Sequence, residues 1–442
     1  MTIRMDEGAA ELLDTLHRAG YAAYVVGGCV RDSLLGLTPH DWDLCTSALP
    51  QQGMELFGEE KCIPTGLQHG TVTVKQGGGL YEITTFRTEG AYTDGRHPDE
   101  VHFVPDVRED LARRDFTINA MAYNAKEGLV DPFGGQADLQ SGILRAVGVP
   151  HQRFTEDALR ILRLYRFAAR FGFAIDPPTA QAAQELCAHL DCVSVERIEE
   201  ELAKLLSAPA PAAYLDEKIL GVVLPELSPE ALAAAKPVVD ACPAGERALP
   251  VRLAALLLSL GEDGTRRTLR RLRCSNACIE ETAVLVREAV PGVPGAFSSD
   301  TNRAIPSPAL LPAATGSHPS GRSSEKLPAR PPVSLNIYTR KLMGQYGLKT
   351  VQRLAALGTA LQPEHAADFA ALSELAERLD ADGVCCRISQ LAVNGRDLMA
   401  AGVPAGPGIR KVLEALLDGV IREEYPTERQ ALLAAVQQLA AS

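Results

Sequence analysis

Nowhere does the sequence hold eighteen consecutive apolar residues, so no membrane span is expected. It also lacks a GxxxxGK[ST] loop, which argues against an ATP-hydrolysing switch. Cysteine is sparse, ten in 442 residues, and scattered without paired CxxC spacing. Neither a disulfide scaffold nor a zinc site follows. Cys274 and Cys278 lie one helical turn apart without a histidine or second cysteine pair nearby, so buried, reduced thiols are expected. An excess of basic charge is missing too, the formal net charge being −12. That excludes a protein coated in basic surface but leaves room for local phosphate-binding patches. The opening residues, MTIRMDEGAAELLDTLHRAG, read as an amphipathic helix without an apolar signal core, so a cytoplasmic location is expected.

What is present is enough apolar sequence for real cores, at 46% hydrophobic and 23% charged residues. The length exceeds the usual single domain. From Ala22 to about Val147 short apolar strands alternate with turns: AAYVVGG, WDLCTS, GTVTVKQGGGLYEITTFR and VHFVPDV. The QGGG reads as a hairpin turn. RRDFTINAMAYNA has a helical pattern and GLVDPFGGQADLQSG reads as loop. Beyond Arg145 no strand signal is visible. FTEDALRILRLYRFAARFGF reads as one long helix with Thr155 as N-cap, and VSVERIEEELAKLLSA as another. Residues 291–332 collapse to Pro, Ser, Gly and Ala, the composition of a disordered linker. The expected class is α+β: a mixed-sheet head over residues 1–145, then helical neck (146–207) and body (208–290), a linker (291–333) and a helical tail (334–442).

The stretch VVGGCVRDSLLGLTPHDWDL joins a glycine turn to two carboxylates with one residue between them. Asp41 and Asp43 stand at the start of a short strand, where residues i and i+2 face the same way, roughly 6–7 Å apart. Trp42 and Leu44 then point into the core. Two like charges this close call for a cation between them, and hard oxygen ligands with room for phosphate oxygens suit Mg²⁺. Gly27 and Gly28 follow an apolar strand and precede a helix, so amides there can cradle phosphates. Arg31 supplies a positive charge for a triphosphate, with Asp32 as its structural partner.

These residues resemble the signature of the DNA polymerase beta-like nucleotidyltransferases. GGCVRD followed by HDWDL looks like the branch that holds the class II tRNA nucleotidyltransferases and bacterial poly(A) polymerases. Two-metal chemistry calls for a third carboxylate. Glu82 in LYEITTFR is the candidate, alternating outward from Tyr81 and Ile83, and the resemblance favours an acidic residue in this strand. DLARRDFTINAMAYN resembles the second motif, which implies that Arg114 and Asp115 meet the ribose and phosphates with Asn119 close by. DPFGGQADL resembles the third motif, where Asp131 and Asp138 serve structure. EDALRILRLYRF resembles the fourth, and Glu196 with Arg197 match the fifth as supports for the arginine helix.

The physics of the fourth motif can be read directly. At about 100° per residue, Glu156, Arg160, Arg163, Arg166 and Arg170 fall within roughly 120° of arc, beside an apolar arc holding Ile161, Leu164, Tyr165, Ala168 and Phe171. Asp157 lies about 60° from Arg160. A carboxylate only accepts hydrogen bonds and a guanidinium only donates them. Asp157 and Arg160 would therefore admit cytosine and adenine, which present an amino donor beside a ring-nitrogen acceptor, and reject uracil and guanine. Arg163 and Arg166 would reach the triphosphate or hold the templating residues.

The resemblance covers roughly Ala22 to Leu227. It extends more weakly to LAVNGRDLMAAGVPAGPGIRKVLEALLDGVI, which looks like the RNA-binding tail of the CCA-adding members, with Arg396, Arg410 and Lys411 as phosphate contacts. It implies template-independent addition of CMP and AMP from CTP and ATP to the tRNA 3′ end, the 3′-hydroxyl attacking the α-phosphate and pyrophosphate leaving. The alternatives are a poly(A) polymerase, ranked lower because the chain is acidic, and a CC- or A-adding specialist. TEGAYTDGRHPDEVHFV, with Arg96 and Asp99, looks like the loop that switching from C to A needs. No adjacent His-Asp pair follows the arginine helix, so no appended phosphohydrolase is expected. Neither a membrane nor a protein partner is expected.

Overall fold

A computed structural model describes residues 3–90, 101–289 and 335–440. Arg96 and Asp99 of the expected switching loop, and the linker 291–333, lie outside the described residues. The chain divides into two compact units, Met1–Pro229 with Arg271–Arg273, and Glu230–Arg270 with Cys274–Ser442.

In the first unit, α1 (Glu7–Arg18) starts on Asp6, whose Oδ2 accepts the Gly8 amide at 3.1 Å. Strand β1 (Ala23–Val26) is buried throughout and runs straight into α2 (Gly28–Leu34). Then come β2 (Leu44–Thr46), α3 (Pro50–Phe57), β3 (Cys62–Gly66), β4 (Thr71–Gln76) and β5 (Gly79–Thr85). Gly77 and Gly78 close the β4–β5 hairpin at φ 56° and 85°, the left-handed values its two-residue turn needs. Among the described residues β6 (Arg87–Glu89) pairs with β7 (Val101–Phe103) alone, in a separate two-stranded ribbon. After α4 (Val107–Ala112), β8 (Ala122–Asn124) and β9 (Gly128–Val130) complete a seven-stranded sheet in the order β3-β4-β5-β2-β1-β8-β9.

Every neighbour in that sheet is antiparallel except β2 and β5. A parallel pair needs a crossover, here supplied by α3 and the β3–β4 excursion. Its register sets Leu44 against Ile83. Asp43 and Glu82, one residue before each, consequently stand side by side.

The α+β class expected from the sequence is what the structure has, but four local readings change. RRDFTINAMAYNA is not a helix: Thr117–Asn119 form one 3₁₀ turn and Ala122–Asn124 enter the sheet against β1. Pairing to a fully buried strand outweighs the local helical pattern. GLVDPFGGQADLQSG contains β9 and α5 (Gly135–Ser141) rather than loop alone. The long neck helix is two, α6 (Pro150–Glu156) and α7 (Leu159–Phe171), with Asp157 between them at extended φ −145°. Ala174–Ile175, beyond Arg145 where no strand was expected, pairs in parallel with Ile143–Leu144. Helices α8 (Pro177–Glu185) and α9 (Val195–Leu206) follow.

The described part of the second unit contains no strand, only helices and turns. One of its cores gathers Val393, Leu398, Leu416, Val420, Leu432 and Val436. Buried Arg340 donates to the carbonyls of Ile421 (3.3 Å) and Cys385 (2.9 Å), satisfying acceptors that a helix end would otherwise strand. Arg396, Arg410 and Lys411 are exposed. All ten cysteines are free, eight buried, Cys278 intermediate and one, Cys192, exposed. Among the described residues no helix is long and apolar enough to cross a membrane.

Gly135 opens α5 beneath the Thr117–Asn119 turn. A Cβ there would fall on the Thr117 carbonyl, with the carbonyl carbon at 2.8 Å. Gly135→Ala is expected to cost about 1–3 kcal/mol by overpacking, read as a lower urea midpoint of the first unit, because neither contacting backbone can swing aside.

Candidate active site

Gly27 leaves β1 at φ 78°, so α2 begins without a spacer. Its amide donates to Met121 O at 3.0 Å, and a Cβ there would lie 2.7 Å from Arg114 Nη1. Glycine at this position therefore makes room for a guanidinium beside the turn. Asp41 and Asp43 lie in the extended segment just before β2, exposed, while Trp42 and Leu44 are buried. Glu82 is exposed on β5 between buried Tyr81 and Ile83. The two-residue alternation thus brings all three carboxylates to one face.

Partial loss of water raises the Asp43 pKa, Arg114 opposes that, and Glu82 and Asp41 add to the rise. Among the described residues no three ligating side chains are gathered tightly enough to hold an ion unaided. The donor set nonetheless fits Mg²⁺, a hard cation that keeps waters and takes phosphate oxygens alongside one or two carboxylates.

Arg114 is anchored from behind. Asp110, fully buried on α4, lies 3.5 Å from Arg114 Nη2 and 2.9 Å from Arg113 Nη2. It also accepts the Arg87 amide at 3.3 Å. Sequence reasoning passed over Asp110, although it shares the apolar stripe of Val107 and Leu111, an arrangement that flags a charge destined for burial.

The remaining expected site residues form a chain of contacts. Arg31 does not face open surface: it is 4% exposed, because Phe167 and Phe171 of α7 cover it at 5.2 and 4.9 Å from its guanidinium carbon. It donates to Asp32 Oδ1 (2.7 Å) and to Asn119 Oδ1 (2.5 Å). Asp32 Oδ2 lies 3.2 Å from Arg170. Asn119 Nδ2 passes the chain to Asp115 Oδ1 at 3.0 Å, and Arg163 grips Asp115 Oδ2 through Nε (2.9 Å) and Nη2 (2.6 Å). Burial alone would raise the Asp115 pKa. Arg163, the Asn119 hydrogen bond and Arg160 outweigh it, holding the carboxyl below the usual range. Arg166 packs on Phe167 at 3.9 Å and lies 2.5 Å from Glu201 Oε2. Burial pushes its pKa down to about 10 against the pull of Glu201.

Asp157 and Arg160 do not pair with each other. Asp157 caps α7 through the Leu159 amide (3.0 Å) and is forked by Arg197 at 3.3 and 2.7 Å. Arg160 is tied to Glu156 (2.7 Å) and to the carbonyls of Arg153 and Arg113 (3.2 and 3.1 Å). The break at Asp157 removes the helical-wheel relation assumed for the two. Glu201, a carboxylate inside the apolar stripe of α9, was also missed in the sequence.

A mixed sheet with convergent carboxylates, followed by an arginine-lined helix, defines a nucleotidyltransferase. Residues 23–145 match the poly(A) polymerase head domain. Residues 172–230 match "Probable RNA and SrmB-binding site of polymerase A", and 336–436 match "tRNA nucleotidyltransferase domain 2 putative". The chain is 35% identical to the CCA-adding enzyme of Limosilactobacillus fermentum over 442 residues, 98% of this chain and 97% of that protein. It is 49% identical to that of Lactiplantibacillus plantarum over 209 residues, 47% of this chain and 51% of that protein. A solved structure, the Bacillus stearothermophilus CCA-adding enzyme in complex with CTP, aligns with TM-score 0.77 and 30% identity over 99% of this chain and 98% of that one. The chain belongs to the bacterial CCA-adding enzymes, template-independent nucleotidyltransferases.

The Asp115–Arg163 pair yields a signed prediction. A depressed carboxyl pKa contributes stability that is complete above the unfolded value near 4 and is lost as pH falls through the folded value. Asp115→Asn is expected to lower unfolding free energy by about 3 kcal/mol at pH 7. The gap should stay level from about pH 5 to 8 and close only below about pH 4. Urea titrations of both proteins across pH would show it.

Proposed function

We propose that Asp41 and Asp43 hold magnesium in the CCA-adding reaction, with Glu82 as the third carboxylate. The observation that carries this reading is the parallel β2–β5 register, which sets Asp43 beside Glu82 with the Arg114 charge acting on Asp43. Magnesium bound there would activate the tRNA 3′-hydroxyl and steady the leaving pyrophosphate. The substrates are CTP, ATP and a tRNA lacking its 3′ end, and a cytoplasmic location accords with them. Gly27 and Gly28 let the triphosphate approach the backbone, and Arg114 supplies positive charge beside it.

Arg31 and Asn119, in this reading, keep Asp115 in place for the ribose. Asp157, steadied by Arg197, accepts from the amino group of cytosine or adenine, and Arg160 donates to the ring nitrogen after releasing Glu156. Arg163 and Arg166 complete the cationic wall for the phosphates. The neck 146–207 thereby serves as the template, while the body 208–290 and the tail 334–442 bind tRNA, the tail through Arg396, Arg410 and Lys411.

Elongation of a truncated tRNA with labelled CTP and ATP, separately and together, tests this. Two C additions followed by one A are expected, and long A tracts on unrelated RNA would overturn the assignment. Asp41→Ala and Asp43→Ala should each reduce both transfers to background while leaving the unfolding midpoint near wild type. Wild-type turnover in either would remove that residue from the metal site. Asp157→Ala should retain turnover but lose roughly 100-fold or more of the selection against UTP and GTP.

A further inference from the structure

Asp115 has no acceptor capacity to spare. Its Oδ1 takes the Phe116 amide (2.8 Å) and Asn119 Nδ2 (3.0 Å), and its Oδ2 takes Arg163 twice. A carboxylate offers about four lone-pair sites, so a ribose hydroxyl can be accepted only where one of these donors withdraws. The Phe116 amide belongs to the adjoining residue, and Asn119 is fixed by Arg31. Arg163 is the long, jointed donor, its side chain 33% exposed, and a second carboxylate is within its reach.

That second carboxylate is Glu201, 6% exposed, with Oε1 3.7 Å from Arg163 Nη1 and Oε2 2.5 Å from Arg166 Nε. Oε2 makes no aligned hydrogen bond, so it retains capacity for another donor. Stability alone does not account for a carboxylate among Ile198, Leu202 and Leu205, since replacing buried ion pairs by apolar groups is commonly neutral or stabilising. We infer that Glu201 is a positioning residue that takes over Arg163 when a nucleotide ribose occupies Asp115. This rests on the reading of Asp115 given above. By receiving the displaced guanidinium, Glu201 spares the enzyme a buried unpaired charge and keeps Arg163 beside the incoming phosphates. Base choice is untouched, because Asp157 and Arg160 lie outside the exchange.

Calorimetric titration of the full-length protein with CTP, ATP and 2′-deoxy-CTP in the presence of Mg²⁺ tests this in wild type, Glu201→Gln and Glu201→Leu. Both variants should bind CTP and ATP about tenfold more weakly, to equal degree, the loss of one charge-assisted contact. Their urea midpoints should fall, since Arg166 keeps its charge without its partner, but the affinity loss is expected for CTP and not for 2′-deoxy-CTP, which leaves Arg163 on Asp115. Unchanged CTP affinity in both variants, or an equal loss for CTP and 2′-deoxy-CTP, would overturn the proposal. If wild type binds CTP and deoxy-CTP alike, the ribose reading of Asp115 fails. Discrimination between them with unaltered CTP affinity in the variants defeats the Glu201 role alone.

Discussion

Guanidinium groups cannot be withdrawn from water without acceptors, and the first unit is organised around supplying them. Arg31, Arg163 and Arg166 lie over the ring of Phe167, and Arg31 and Arg170 over Phe171. Each of these arginines finds a carboxylate: Asp32 for Arg31 and Arg170, Asp115 for Arg163, Glu201 for Arg166. Asp32 and Asp115 come from the sheet-bearing part of the unit, Glu201 from α9. Helix α7 is consequently fixed along its length by contacts whose removal would strand a buried charge, and such losses run to about 3–5 kcal/mol.

The face that carries the three carboxylates is built on the opposite principle. Asp41, Asp43 and Glu82 converge from β5 and the extended segment before β2, and Glu82 and Asp41 raise the Asp43 pKa against the pull of Arg114. Strand geometry makes this possible, because the pleat sends alternate side chains to one face whatever their charge. The burial of Trp42, Leu44, Tyr81 and Ile83 holds the carboxylates in place. Arg114 tempers the repulsion, and its own position depends on Asp110 and on the missing side chain of Gly27. A substrate bringing phosphates and divalent cations meets prearranged charge of both signs and need reorganise little.

Which parts of this were legible in the sequence follows from the range of the interactions. The outward set of Asp41, Asp43 and Glu82 needs only a period of two, and the hairpin at Gly77–Gly78 needs only its own turn, so both could be read. The short strand Ala122–Asn124 could not, because its conformation is decided by pairing with Val25 and Val26, about a hundred residues earlier. Arg31 was read as a positive charge for a triphosphate because it follows the glycine turn; the rings that cover it come from positions 167 and 171. Asp110 and Glu201 were readable in principle. Each sits at i+3 within an apolar i, i+4 stripe, and a charge there must either find a partner or unfold the helix.

The break between α6 and α7 bears on specificity. Had the neck helix been continuous, Asp157 would have been one more side chain on a cylinder, free to choose rotamers. Instead its backbone leaves the helix at extended φ, one oxygen caps the Leu159 amide and Arg197 forks both oxygens. Three donors fix the carboxylate in direction as well as place. A side chain that stands in for a template base must hold its acceptor direction to within about 10–20° if adenine and cytosine are to be told from guanine and uracil. Capping and forking supply that rigidity, while Arg160, bound to Glu156 and two carbonyls, has contacts it can exchange. Under the proposed template role, selection combines a fixed acceptor with a movable donor, which suits one pocket to both a pyrimidine and a purine.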